Sequence, residues 1–159
     1  MRKRQVQRIA TFAGLGAIAV VVAFMVSLQL ENAKITAFAG SYESIAYDTN
    51  NLTQSYQSEV AKWKAKQYSN STMIEIINNY LPKYQALIDR AQSLDAPQKY
   101  QNAKDFLIKS LRSEMQSNEH FGNYLATGNQ SEYETSNQLL TDSFAYSIQA
   151  DSAIREAQS

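Results

Sequence analysis

The sequence predicts an all-α protein: a transmembrane helix at residues 9–30, then an antiparallel four-helix bundle over residues 31–159. Three observations carry this expectation. Ile9 to Leu30 contains no charged residue and follows directly on the basic cluster Arg2, Lys3, Arg4 and Arg8. Beyond it, apolar residues recur every three or four positions, the spacing of one helix face. Breakers are scarce, with Pro82, Pro97 and five glycines in the whole chain, which favours long helices.

At ~1.5 Å rise per residue, the segment from Ile9 to Leu30 spans about 33 Å, enough for a hydrocarbon core of ~30 Å. Eleven of its residues are Leu, Ile, Val or Phe, which together favour insertion by about 5 kcal/mol. The basic stub, residues 1–8, is expected in the cytoplasm against anionic lipid, with the C-terminal bulk outside the cell membrane. Within the bilayer, Ala10 with Gly14 and Ala13 with Ala17 give small-xxx-small spacing. That spacing lets a second helix, from a partner or another copy, approach closely. Ala37-Phe38-Ala39 before Gly40 has the form of a signal-cleavage site. It lies far beyond Leu30, with Glu31 and Lys34 between, so a retained signal-anchor is expected. The absence of cysteine excludes an acylated lipoprotein, a disulfide framework and a thiol nucleophile.

Outside the membrane, four helices are expected at about 33–67, 72–94, 97–127 and 131–157. The first carries a heptad seam of Ile35, Phe38, Tyr42, Ile45, Thr49, Leu52 and Tyr56, which shifts to Val60 and Trp63. Thr72-Met73-Ile74-Glu75 fits a capping box for the second helix. Its face is Met73, Ile76, Ile77, Tyr80, Tyr84, Leu87, Ile88, Ala91 and Leu94, with a kink expected at Pro82. Asp95 or Ala96 caps the third helix, with Pro97 in its first turn. That helix presents Tyr100, Ala103, Leu107, Leu111, Met115, Phe121 and Leu125, and stops at Thr127-Gly128-Asn129. Ser131-Glu132-Tyr133-Glu134 reads as a second capping box, opening a fourth helix with Tyr133, Leu139, Leu140, Phe144, Ile148 and Ile154 as its seam. Short connections favour up-down-up-down neighbours. The alternative is a three-helix bundle on a long stalk, with the first seam zipped to another copy.

The stretches LDAPQKYQNAKDFL and YLATGNQSEYETSNQLL pair a helix start at Ala-Pro with a Thr-Gly turn and a second long helix. In this the chain resembles small membrane-anchored helical surface proteins of bacteria and archaea. The resemblance covers about half the chain and implies a fold and a location rather than an activity.

Beyond the stub, eleven Lys and Arg stand against all fifteen Asp and Glu, a net of −4. This argues against nucleic acid, which needs a clustered basic face. No phosphate-loop, dinucleotide or nucleophile-elbow string occurs. His120 is the single histidine; Ser113, Ser117 and Glu119 nearby read as ordinary helix-surface residues, so no triad is expected. Glu119-His120, with Glu114 or Met115, lacks the Glu-x-x-His pairs of di-iron bundles. No cofactor, metal or enzymatic activity is therefore expected. Asn51, Asn70 and Asn129 open N-x-[ST] sequons, with Asn70 and Asn129 in expected turns. The chain is read as a single-pass membrane protein acting by protein–protein interaction, through a partner or self-association. The alternative is a ligand-sensing bundle that signals through a partner.

Overall fold

The computed structural model describes residues 33–159. The expected transmembrane helix, with Ala10, Gly14 and Ala17, and the basic stub lie outside the described residues. Among the described residues, no helix is long and apolar enough to cross a membrane. They form four helices and no strand: α1 (Ala33–Lys64), α2 (Asn70–Gln92), α3 (Gln101–Thr127) and α4 (Gln130–Gln158), with a 3-10 turn at Gln98–Tyr100.

Each helix end is set by a local device. α1 stops at Lys66, which takes a left-handed φ of 60°. The Gln67 N–H then reaches Lys62 O at 3.0 Å and the Lys66 N–H reaches Trp63 O at 2.8 Å, a Schellman closure made with lysine where glycine is usual. α2 opens at Ser69, whose Oγ accepts from the Thr72 N–H at 3.1 Å. This replaces the capping box expected at Thr72–Glu75. The earlier start bonds the Met73 N–H to Ser69 O and carries the Met73 side chain into the core. Likewise Asn129, not Ser131, caps α4, its Oδ1 accepting from the Ser131 N–H at 3.1 Å. α2 continues through Pro82. Before α3, neither Asp95 nor Ala96 acts as the cap; the 3-10 turn leads in from Pro97. Gln101 Nε2 and Lys104 Nζ donate to the carbonyls of Ala96 and Leu94, each at 2.6 Å, so the connection is held by side chains. Gly128 ends α3 at φ 72°, its N–H on Tyr124 O at 2.8 Å.

Cross-helix contacts fix the topology. α1 and α3 run parallel, through Phe38 on Tyr100, Thr53 on Glu114 and Trp63 on Phe121. α2 runs opposite to both, through Arg90 on Asp48, Ser55 on Tyr80 and Tyr84 on Glu114. The C-terminal end of α4 returns beside the start of α1, where Ile154 and Ala157 join Ile35 and Phe38 in one cluster. α1 is thus packed along the others rather than standing apart as a stalk. It approaches α2 along its length but scarcely meets α4 backbone to backbone.

The core is divided. One cluster runs from Phe38 and Ile45 through Leu87, Ile88, Tyr100 and Leu111 to Ile154. The other joins Tyr56, Met73, Ile77, Tyr84, Phe121 and Leu125. The expected faces of the first three helices supply nearly all of both.

The fourth seam is overturned in its middle, while Tyr133 packs half-buried against the second cluster and Ile154 lies in the first. Of Tyr133, Leu139, Leu140, Phe144, Ile148 and Ile154, only Ile154 is buried, and Ile148 is 67% exposed. α4 instead turns Ser136, Ser143 and Ala150 inward; Ser136 and Ser143 meet Ser117 and Ser110 of α3, whose Ala103 is buried as well. The facing residues step by seven along each helix in opposite directions, so small side chains meet in successive layers. Ser110 Oγ donates to Ser143 O at 3.0 Å, and Ser117 Oγ to Ser136 O at 2.8 Å. A hydroxyl can reach the backbone of the facing helix only if the two axes are close. Close approach therefore wins over the larger apolar side chains, which are displaced to the flanks of α4.

Candidate functional site: a buried carboxyl and an outward apolar face

Glu114 lies in mid-α3, where the two apolar clusters meet, and is 5% exposed. Thr53 Oγ1 of α1 donates to its Oε1 at 2.8 Å, and Tyr84 Oη of α2 donates to the same oxygen at 2.9 Å. One carboxyl therefore ties three helices. Burial pushes this carboxyl above its ordinary range, and the bonds from Thr53 and Tyr84 only partly oppose the shift. The phenols beside it respond to the same burial: Tyr84 and Tyr56 are both raised, with Glu114 adding to each shift.

Around this group the polar positions of α3 that read as a surface are inside. Ser110, Ser113, Ser117 and Asn118 are all buried. Asn118 sits one turn beyond Glu114 on the same face. Its Nδ2, and the Oη of Tyr56 on α1, which borders Glu114, are buried without a hydrogen-bond partner in the protein. Tyr80 completes the layer, its ring 5.4 Å from that of Tyr56 and its Oη 2.6 Å from Ser55 Oγ. Sequence reasoning missed this layer because a lone Glu among serines in a helix resembles a solvated stripe. The signal present was the seven-residue recurrence of small residues at 103, 110 and 117, mirrored at 136, 143 and 150.

The second feature is the outer side of α4. Leu140 and Phe144 are half-buried and belong to neither apolar cluster, and Ile148 one turn further is exposed. Successive steps of four place the three along one slowly turning row. On the other flank, Tyr146 stacks on Phe106 of α3 at 6.4 Å beneath Lys109 Nζ. Among the described residues, Tyr47 of α1 is the other large hydrophobic side chain left open, at 66%.

The remaining singled-out residues have local roles. His120 Nδ1 lies 2.7 Å from Glu132 Oε2, joining the end of α3 to the start of α4. Bonds from His120 and Asn123 hold the Glu132 carboxyl below its ordinary range. Asn51 is exposed in mid-α1. Asn70 begins α2, accepting from Trp63 Nε1 at 3.0 Å and donating to Leu125 O at 3.4 Å. A glycan on its Nδ2 would compete with that second bond. Asn129 spends its side-chain oxygen on capping α4 but leaves its nitrogen outward. Among the described residues, no three His, Cys, Asp or Glu side chains are grouped to hold a metal.

A groove of about 490 Å³ opens between the start of α1 and the end of α2, floored by Phe38, Ile45 and Leu94. Its Arg90 is already engaged by Asp48 at 2.6 Å and Ser44 at 3.1 Å. Neither family models, curated proteins nor solved structures yield a match to this chain.

Proposed function

We propose that this chain is a non-enzymatic, single-pass membrane protein whose outer helical bundle binds another protein through α4, as an accessory subunit of a membrane complex. The observation that carries the reading is the inversion of α4. Its small residues are spent on α3, leaving Leu140, Phe144 and Ile148 outside both apolar clusters. A contiguous apolar row on an otherwise polar helix is a feature of partner surfaces. The retained anchor gains support from Phe38 and Ala39, which are 2% and 4% exposed. Cleavage after Ala39 would strip Phe38 off Tyr100, on which it stacks at 5.2 Å. The likeness to membrane-anchored surface proteins of bacteria and archaea belongs to the same proposal.

The test is to extract the full chain from its native membrane in mild detergent, and to measure the mass of the particle and its component chains. A stoichiometric companion retained by the native chain and lost from Ile148→Glu, with helicity unchanged, is the expected result. A lone monomer or a homodimer would sink the subunit reading. A second reading, a sensing bundle that signals through a partner, is favoured by the buried layer around Glu114.

A further inference from the structure

Among the described residues, the protein supplies hydrogen-bond donors to one oxygen of Glu114 alone. Both donors, Thr53 and Tyr84, converge on Oε1. A carboxylate would leave its second oxygen, Oε2, without a donor from the protein, whereas a neutral acid can carry its proton there. The side chains that face the carboxyl are Thr53 and Tyr56 from α1, and Tyr84 from α2 with Tyr80 behind it. On α3 itself Ser117 and Asn118 lie within one turn, and from α4 the nearest layers are Ser136 and Ser143. Among the described residues, no lysine, arginine or histidine acts on it to compensate a negative charge. An uncompensated buried carboxylate is costly, and the cost is relieved only if water reaches it.

We propose that the proton on Glu114 latches α1 onto the α2–α3 pair, and that its loss frees residues 53–63 of α1 so that water hydrates the carboxylate. α1 is the element that yields, because α3 and α4 are joined by the serine layers. α1, in contrast, meets α3 chiefly through side chains and scarcely meets α4. A second observation favours hydration at this level. Tyr56 Oη and Asn118 Nδ2, on residues 2% and 4% exposed, make no hydrogen bond to another protein group. Water entering with the opening supplies one to each. The latch does not require the partner reading of α4, and its test is made on the isolated chain.

Trp63 is the chain's single tryptophan, on α1, edge-on to Phe121 of α3 at 5.2 Å. Its fluorescence therefore reports the α1–α3 separation directly. The full-length protein in detergent micelles is titrated from about pH 4 to about pH 9, following emission maximum and intensity, so that the range begins near the ordinary carboxylate value. The expected result is a one-proton transition above that value, with the open-to-closed ratio rising about tenfold per pH unit. Glu114→Gln keeps an oxygen for both donors and cannot ionise, so it stays closed throughout.

Thr53→Val gives the second arm. If α1 opens, loss of a closed-state hydrogen bond moves the midpoint to lower pH. If the carboxylate stays buried and merely loses a donor, the midpoint moves up, and the latch is refuted. His120→Gln leaves the transition in place. A flat titration of the native chain, a transition that persists in Glu114→Gln, or one abolished in His120→Gln each overturns the proposal.

Discussion

Replacing Ser117 by leucine tests whether small volume, rather than hydroxyl chemistry, is what α3 and α4 require of each other. Ser117 is 3% exposed, and its Oγ lies 2.8 Å from Ser136 O. A methyl carbon at that place needs roughly 3.5–4.0 Å, so the helices must part by about 1 Å or the leucine must leave its rotamer. Overpacking of this kind costs about 1–3 kcal/mol. Parting also stretches the neighbouring Ser110–Ser143 bond beyond its present 3.0 Å, and each hydrogen bond lost costs about 0.5–1.5 kcal/mol. Ser117→Leu should therefore destabilise by about 2–5 kcal/mol, lowering the midpoint of thermal unfolding by roughly 10–20 °C for a domain of this size. Ser117→Ala removes the same hydrogen bond, leaves the approach intact and gains helix propensity, so its net cost is at most about 1 kcal/mol. Thermal and urea unfolding followed by helical circular dichroism compares the two directly. A leucine variant within 1 kcal/mol of the native chain, or an alanine variant as damaging as leucine, would refute close small-residue packing as the basis of this pair.

Two helix ends offer a matched comparison. Lys66 and Gly128 both hold left-handed φ values, 60° and 72°. Lys66→Gly should stabilise by about 0.5–1 kcal/mol in urea unfolding, while Gly128→Ala should cost about 1 kcal/mol. Glu114 makes stability fall with rising pH. Its folded carboxyl holds the proton more tightly than the unfolded chain does. The contribution is therefore complete below the unfolded carboxyl's range and lost as pH climbs toward the folded value, with a limiting slope of about 1.4 kcal/mol per pH unit. Urea midpoints across this range should decline more steeply in the native chain than in Glu114→Gln, where Asp151, its carboxyl also raised by burial, still titrates. Ile148→Glu, on an exposed position, should change stability by less than about 0.5 kcal/mol, so any loss of a companion chain reports the surface and not the fold.

Three of the four helix faces were legible in the sequence because burying large side chains sets the register. Phe38, Ile45, Tyr56 and Val60 in α1, and Met73, Ile77, Tyr84 and Ile88 in α2, are buried at the positions their spacing indicates. The caps were less legible. Ser69 and Thr72, like Asn129 and Ser131, are chemically equivalent candidates two or three residues apart. Between Ser69 and Thr72 the choice falls to tertiary packing, which draws Met73 into the core.

α4 failed for a different physical reason. A search for apolar periodicity assumes that every helix buries its largest side chains, an assumption that holds when axes stand far enough apart for leucine to fill the gap. At closer approach dispersion between backbones replaces that filling. The residues that matter are then those with the least volume, which carry no hydropathy signal at all. Ser110, Ser117, Ser136 and Ser143 are recognisable only as two runs with a period of seven, and recognising them decides two further things. It sends Leu140, Phe144 and Ile148 outward. It also turns the whole Ser110–Asn118 face of α3 inward, so that Glu114, one residue from Ser113 and three from Ser117, has nowhere to go but the interior. The buried acid and the open apolar row are thus two consequences of one packing choice, and a chain that widened the α3–α4 spacing should lose both together.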